Sequence, residues 1–117
     1  MREIPKDAAV LLEKWNGGKA KLWVYNVSFQ QLVIRVEKPQ ELPGNLHITC
    51  SPCLSIIAPV VVWNNSNLSI SKIKDDELVG ATFRLEDKYT GVVIECMGLH
   101  VDENVEPIFY TEERIRI

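Results

Sequence analysis

The chain has no excess of positive charge and no cluster of basic side chains. Its 117 residues include 13 lysines and arginines against 16 aspartates and glutamates, which gives a net charge of -3. Proteins that bind nucleic acid obtain most of their affinity from clustered cations that neutralise phosphates. Anionic membranes attract polybasic segments in the same way. We therefore expect neither nucleic acid nor a membrane as a partner.

Long hydrophobic runs are also missing. The densest apolar stretch, residues 56–63, contains Pro59 and is far shorter than the roughly 20 residues that a membrane-spanning helix needs. The N-terminal residues include acidic side chains and are followed by only a short apolar stretch, which does not fit a signal peptide. These absences predict a cytoplasmic protein.

Cysteine is scarce, with three residues in the chain. An odd number of thiols fits a reducing compartment better than a disulfide scaffold. The length, with 46% hydrophobic and 25% charged residues, is typical of a globular protein that builds one core. We expect a single globular domain over residues 1–117.

Helical periodicity is clearest at the N-terminus. Apolar residues recur there at the spacing of one helical face, Pro5 suits a first helical position, and two glycines at positions 17 and 18 end the pattern. The residues of this face are Ala8, Leu11, Leu12 and Trp15.

From residue 19 onwards the hydrophobic period changes to two, which is the period of a β-strand. Alternating segments occupy residues 19–27, 32–37, 46–50, 68–70, 82–86 and 92–96. Turn-forming residues separate them. We predict a mainly β or α+β fold, with the N-terminal amphipathic helix packed on an antiparallel sheet or small barrel of about six to eight strands.

Three other segments carry predictions. Residues 54–63 are β-branched and almost continuously apolar, which favours a buried strand bent at Pro59. Their last part, residues 60–63, also suits a self-association surface. Residues 74–80 and 102–107 are typical of loops. Residues 108–110 and 114–117 suit short edge strands, and the alternation in residues 113–117 is compatible with pairing across the two-fold axis of a homodimer.

Cys50 and Cys53 are the pair whose spacing indicates chemistry, because two thiols three positions apart can exchange electrons or hold a metal. The segment Cys50-Ser51-Pro52-Cys53, with Ile57-Ala58-Pro59 after it, resembles the active-site stretch of thioredoxin over about ten residues with one insertion. This resemblance implies thiol–disulfide exchange, with a helix that begins at the motif and lowers the pKa of the first thiol. Pro59 and the β-branched residues favour a strand instead.

A structural zinc site is the second alternative. Its ligands would be Cys50, Cys53, Cys96 and His100, with His47 as a substitute. In a continuous strand Cys96 and His100 would lie about 13 Å apart. Gly98 must therefore form a tight turn if the two are to share an ion.

Burial is the interpretation of the cysteines that we favour. Cys50 and Cys96 each share the phase of their strand with aliphatic residues, so both are expected to point into the core. A thiol in apolar surroundings has a raised pKa and reacts slowly. Cys53 follows a proline and is the one of the three that we expect to be exposed.

Other catalytic patterns are missing from the sequence. It contains no Gly-x-Ser-x-Gly, phosphate-binding loop or His-Glu-x-x-His pattern. His47 lies on the polar phase of its strand and is expected to be a surface or cross-strand residue. At least two of the three tryptophans, Trp15, Trp23 and Trp63, are expected in the core.

We therefore predict a small, soluble protein-interaction or binding module without catalytic activity. We assign it no cofactor and no catalytic, cofactor-binding or metal-ligating residue. The expected partner is another protein or a second copy of the chain. A thiol–disulfide redox protein that uses Cys50 and Cys53, and a structural zinc domain, remain the alternatives.

Overall fold

The computed structural model describes residues 6–103, which form one helix and nine strands. The elements are α1 (Lys6–Trp15), β1 (Lys19–Asn26), β2 (Gln31–Glu37), β3 (Leu46–Cys50), β4 (Cys53–Ile57), β5 (Val62–Trp63), β6 (Leu68–Asp76), β7 (Gly80–Asp87), β8 (Val92–Cys96) and β9 (Leu99–Glu103). The prediction of a mainly β fold with one N-terminal helix is confirmed. In the described part of the chain, no helix is long and apolar enough to cross a membrane.

The strands form two antiparallel sheets. A five-stranded sheet has the order β5-β1-β2-β3-β9, and a four-stranded sheet has the order β4-β8-β7-β6. Within residues 6–103 the sheets do not close into a barrel, so the open-sheet form of the prediction is the correct one. The core lies between the sheets and includes Ile34 and Ile48 from one and Leu85 and Ile94 from the other. Full burial of such a side chain contributes roughly 1.5–3 kcal/mol.

Helix α1 covers one open side of this pair of sheets. It packs against β6 and β9, which are edge strands of different sheets, and buries Leu12 and Trp15. The indole Nε1 of Trp15 donates a hydrogen bond to Glu103 Oε2 over 2.9 Å. Gly18 leads the chain into β1, where a Cβ atom would lie 2.6 Å from the carbonyl oxygen of Glu37. A glycine is therefore needed for this close approach.

Two predicted loops contain strand residues: four residues of the first, residues 74–80, and residues 102–103 of the second. β6 extends to Asp76, which pairs with Gly80 of β7, so the turn between them is shorter than residues 74–80. Asp102 and Glu103 belong to β9 and pair with β3. Pairing with a neighbouring strand supplies hydrogen bonds that local residue preferences do not reveal. Pro5 and the predicted strands at residues 108–110 and 114–117 lie outside the described residues.

The outer face of the five-stranded sheet is partly buried, although the alternation of the sequence predicts that only the inner face is buried. Val33 and Arg35 of β2 are buried along with the residues that face the core. The Arg35 guanidinium lies 4.6 Å from the ring centre of Trp23, the residue at a bulge in β1. Trp15 and Trp63 are buried, which confirms the prediction for two of the three tryptophans.

Candidate functional site

Two of the places where the chain passes from one sheet to the other lie side by side. One passage, from β3 to β4, runs through the cis Ser51–Pro52 peptide bond, and the other, from β8 to β9, runs through Met97 and Gly98. Ser51 N donates to Gly98 O over 3.0 Å, and Met97 N donates to Pro52 O over 3.0 Å. A Cβ atom at Gly98 would collide with the carbonyl oxygen of Ser51. These contacts hold the two passages together as one corner of the molecule.

All three cysteines lie at this corner. Cys50 ends β3, Cys53 begins β4 and Cys96 ends β8, and all three are free thiols. The predicted burial of Cys50 and Cys96 is confirmed, since both are 0% exposed. The prediction that Cys53 is exposed is wrong: it is 4% exposed, because it pairs with Cys96 across the β4–β8 ladder and joins the core.

The three thiols alter one another's pKa values. A hydrogen bond with Cys96, together with burial, raises the pKa of Cys50, and the same hydrogen bond lowers the pKa of Cys96. Burial, followed by the influence of Cys96, raises the pKa of Cys53. Both members of the Cys50 and Cys53 pair are therefore held in the protonated, slowly reacting form at neutral pH.

The corner differs from the arrangement that the thioredoxin resemblance implies. Cys53 opens strand β4, where the resemblance implies a helix. Within residues 6–103 no helix begins at Cys50 or Cys53, so the helix dipole that would stabilise a thiolate in that arrangement is missing. The redox hypothesis therefore lacks both an exposed first thiol and the local field that would activate it.

The structure brings together three of the four residues of the zinc hypothesis. The bend at Gly98 exists, but it sends β9 into the other sheet, where His100 pairs with Thr49. The His100 side chain is exposed, and its Nε2 lies 3.1 Å from Asp102 Oδ1. Within residues 6–103 no group of three or more histidine, cysteine, aspartate or glutamate side chains is arranged to hold a metal ion.

His47 is a cross-strand residue, one of the two positions predicted for it, and it is buried instead of lying at the surface. It is 2% exposed on the outer face of β3, between its cross-strand partners Arg35 and Asp102. Neither ring nitrogen has a hydrogen-bond partner in the described structure. Burial, and then the positive charge of Arg35, lower the pKa of His47. The ring is therefore held neutral.

A surface without charges begins at the cysteine corner. Neither residues 22–34 nor residues 42–71 contain a lysine, arginine, aspartate or glutamate. The two segments meet where Cys53 N donates to Gln30 O over 2.6 Å, so the turn between β1 and β2 lies beside the start of β4. The local structure thus joins two stretches that are distant in sequence into one uncharged region.

Strand β4 exposes this region to solvent. It is an edge strand and pairs with β8 on its one described side. The prediction of a buried strand over residues 54–63 is therefore wrong for most of the segment, although Trp63 is buried. Its exposed apolar residues are Leu54, Ile56, Ile57, Val61 and Val62. A strand at the edge of a sheet has a neighbouring strand on one side only, so its apolar residues are less covered than those of a central strand. The hydrophobic pattern of the sequence does not show which strand lies at an edge.

The turn between β1 and β2 extends the exposed apolar surface at one end of β4. Val27 and Phe29 are mostly exposed there, at 75% and 70%. We call β4, together with Val27 and Phe29, the uncharged edge. On the neighbouring strand β8, Glu95 lies opposite Ser55 and accepts hydrogen bonds from Arg84 Nε and Nη2 at 3.2 Å and 2.9 Å. The negative charge beside the edge is thereby paired with the positive charge of Arg84.

Asp87 anchors the segment that follows the uncharged edge. It is fully buried, and its Oδ2 accepts hydrogen bonds from Trp63 Nε1 and Asn67 N, each over 2.8 Å. Its Oδ1 accepts from Tyr89 N over 2.9 Å in the β7–β8 turn. An aspartate that precedes a turn commonly binds backbone N–H groups two residues on, so the second role was readable from sequence. The contact with Trp63 was not.

Comparisons of the chain with protein-family models, with curated proteins and with solved structures find no match. The function is therefore argued from the geometry of the chain itself.

Proposed function

We propose that the protein is a non-catalytic interaction module that binds another protein chain through the uncharged edge. The observation that carries this proposal is the combination of exposure, apolar side chains and absence of charge on β4. Natural proteins protect edge strands with charged side chains, prolines or a covering element, because unpaired backbone groups recruit other strands. An unprotected apolar edge is typical of an interaction site.

Strand addition is the binding mode that fits this surface. An extended segment of the partner aligns with the free side of β4, where main-chain hydrogen bonds provide affinity and alternate side chains provide selectivity. A charged residue placed against Leu54 or Ile57 would lose water without gaining an opposite charge. We therefore expect the partner segment to be apolar and β-branched.

The burial of the cysteine pair and of His47 supports the non-catalytic part of this proposal. Cys50 and Cys53 are buried with raised pKa values, and His47 is buried and neutral. General acid–base and nucleophilic catalysis need such groups within reach of a substrate. The three free thiols also suit a cytoplasmic location.

The test is a selection from a random peptide library displayed on phage, with the intact protein immobilised. We expect enrichment of uncharged, β-branched peptides, and at least tenfold weaker binding of these peptides to an Ile57→Lys variant. Ile73→Lys is the matched control, because Ile73 is a partly exposed isoleucine on β6, the other edge strand of the same sheet. Its peptide binding should equal that of the unmodified protein.

Two results would contradict the proposal. One is the absence of any enriched peptide. The other is a set of peptides that bind the Ile57→Lys variant as well as the unmodified protein, which would place the binding surface elsewhere. Thermal unfolding of both variants establishes that each is folded before its binding is compared.

A further inference from the structure

We infer that the chain bound at the uncharged edge is a second copy of this protein, with β4 of one molecule paired antiparallel to β4 of the other. The pair joins two four-stranded sheets into one sheet of eight strands. This inference rests on the proposed function, because it uses the same edge.

The first argument is that β4 is the sheet edge left free. The two sheets have four edge strands, β5, β9, β4 and β6. Helix α1 packs against β6 and β9, and β5 is only two residues long. β4 has five residues; on its free side Cys53 N is bound by Gln30 O of the β1–β2 turn, and no described strand pairs with the rest. Further strand pairing is therefore easiest at β4.

The second argument is self-complementarity. A two-fold axis places the same surface of each molecule against itself, so any charge on the surface meets a like charge nearby. Each molecule carries a net charge of -3, yet β4 contributes no charge, and Glu95 beside it is paired with Arg84. Two copies therefore meet at this surface without electrostatic repulsion between β4 side chains.

The third argument concerns the two ends of the strand. In an antiparallel pair, the start of one β4 lies beside the end of the other. The start is flanked by Val27 and Phe29, and the end carries Ile56 and Ile57, all of them exposed. The two-fold axis therefore brings apolar side chains against apolar side chains at both ends of the paired strands.

The contact area sets the expected affinity. Five strand residues extend for about 17 Å. One strand alone buries less than the roughly 800 Å² per partner of a standard interface, and the flanking apolar side chains enlarge the contact. We therefore expect a dissociation constant on the order of micromolar.

Sedimentation equilibrium of the full chain, from about 1 to 200 µM, measures this constant directly. Ile57→Lys places a charge in both copies of the edge, and we expect it to raise the dissociation constant at least tenfold. Ile73→Lys on β6 should leave the constant unchanged. Leu54→Lys is a second edge variant, included in case the first does not fold.

Hydrogen exchange gives an independent measurement. Apart from the Cys53 amide, which is bound to Gln30 O within the molecule, amides on the free side of β4 should exchange rapidly at concentrations where the protein is monomeric and become protected where it is dimeric. Amides of β6 should show the same exchange at both concentrations.

The outcomes separate this inference from the proposed function. A protein that stays monomeric up to the highest concentration overturns the inference, and so does a dimer that tolerates both edge variants. If a monomeric protein still selects peptides through Ile57, the proposed function stands and only the second copy is wrong. If it selects none, both fail.

Discussion

The two edges of the four-stranded sheet are built in opposite ways. β6 carries Lys72, Lys74, Asp75 and Asp76, its Lys72 and Asp75 form an ion pair of 3.1 Å, and helix α1 packs against it. β4 carries no charge, and apart from the hydrogen bond of Cys53 N to the β1–β2 turn no described strand or helix covers its free side. One edge of the sheet is thus protected against pairing, whereas the other is open to it.

The difference between the edges lies in charge and cover, since both strands contain an irregularity. The register shifts between Cys53 and Ser55 in β4 and between Lys72 and Lys74 in β6. A bulge is one of the known ways to discourage pairing. Because both edges have one, it does not distinguish them, and the charges and the helix must account for the contrast.

The largest effect is expected at Asp87, which holds the segment between the two edges. Asp87→Ala leaves the buried Trp63 Nε1–H and Asn67 N–H groups without their acceptor. We expect the free energy of unfolding to fall by about 3 kcal/mol. Urea denaturation measures this loss. Asp87→Asn keeps one acceptor oxygen and should lose less.

A small loss in Asp87→Ala, under about 1 kcal/mol, would contradict the anchoring role. It would mean that β5 and the start of β6 are positioned by packing alone.

An intermediate effect is expected at Glu103, which binds Lys14 and Trp15 of helix α1. The hydrogen bond from Lys14, and then the one from Trp15, lower the pKa of Glu103 below its ordinary value of 4.5. A carboxylate with a lowered pKa stabilises the fold fully above its unfolded pKa and loses this contribution as the pH falls through its folded pKa. Glu103→Gln should therefore cost about 0.5–1 kcal/mol at neutral pH.

Urea denaturation at pH 7 and at pH 3 checks this prediction. The difference between Glu103→Gln and the unmodified protein should be present at pH 7 and smaller at pH 3. An equal difference at both pH values would show that the charge of Glu103 has no part in holding the helix.

The smallest effect is expected for salt and pH on self-association, because β4 carries no charged side chain and the Cys53 thiol is buried with a raised pKa. Between about 0.05 and 0.5 M salt, the dissociation constant should change less than about twofold. Lowering the pH from about 8 to 5.5 should also leave the constant unchanged, as long as the protein is folded. Marked weakening by salt would mean that charged residues take part in the contact, and the contrast between the edges would then fail.

Stability should respond to the same change of pH. The pKa of His47 is lowered from 6.5 by burial, so the unfolded chain takes up a proton before the folded one does. The free energy of unfolding should therefore fall as the pH decreases below about 6.5. His47→Leu, measured by urea denaturation at both pH values, should reduce this decrease.

Much of the local structure follows from residue patterns. Leu12 and Trp15 identify the buried face of the helix, and the alternation around Cys50 and Cys96 identifies their burial. These predictions succeed because an apolar side chain gains free energy on leaving water whichever neighbour covers it. The same patterns failed at Cys53, whose burial depends on its pairing with Cys96.

His47 shows a second limit of the patterns. Alternation assigns it to the outer face of its sheet correctly, but that face is itself covered at His47 and Arg35. His100 shows a third, because the bend at Gly98 decides which sheet its strand joins. Both outcomes depend on elements that are distant in sequence.

The sequence by itself determined that this chain forms strands after one amphipathic helix, and that residues 54–63 would be apolar wherever they lay. Only the tertiary structure decided that β4 is an edge with one described neighbour and that α1 covers β6 instead. The physical reason is that hydrophobicity and period belong to single residues and short segments. The number of neighbours of a strand depends on the order of the whole sheet.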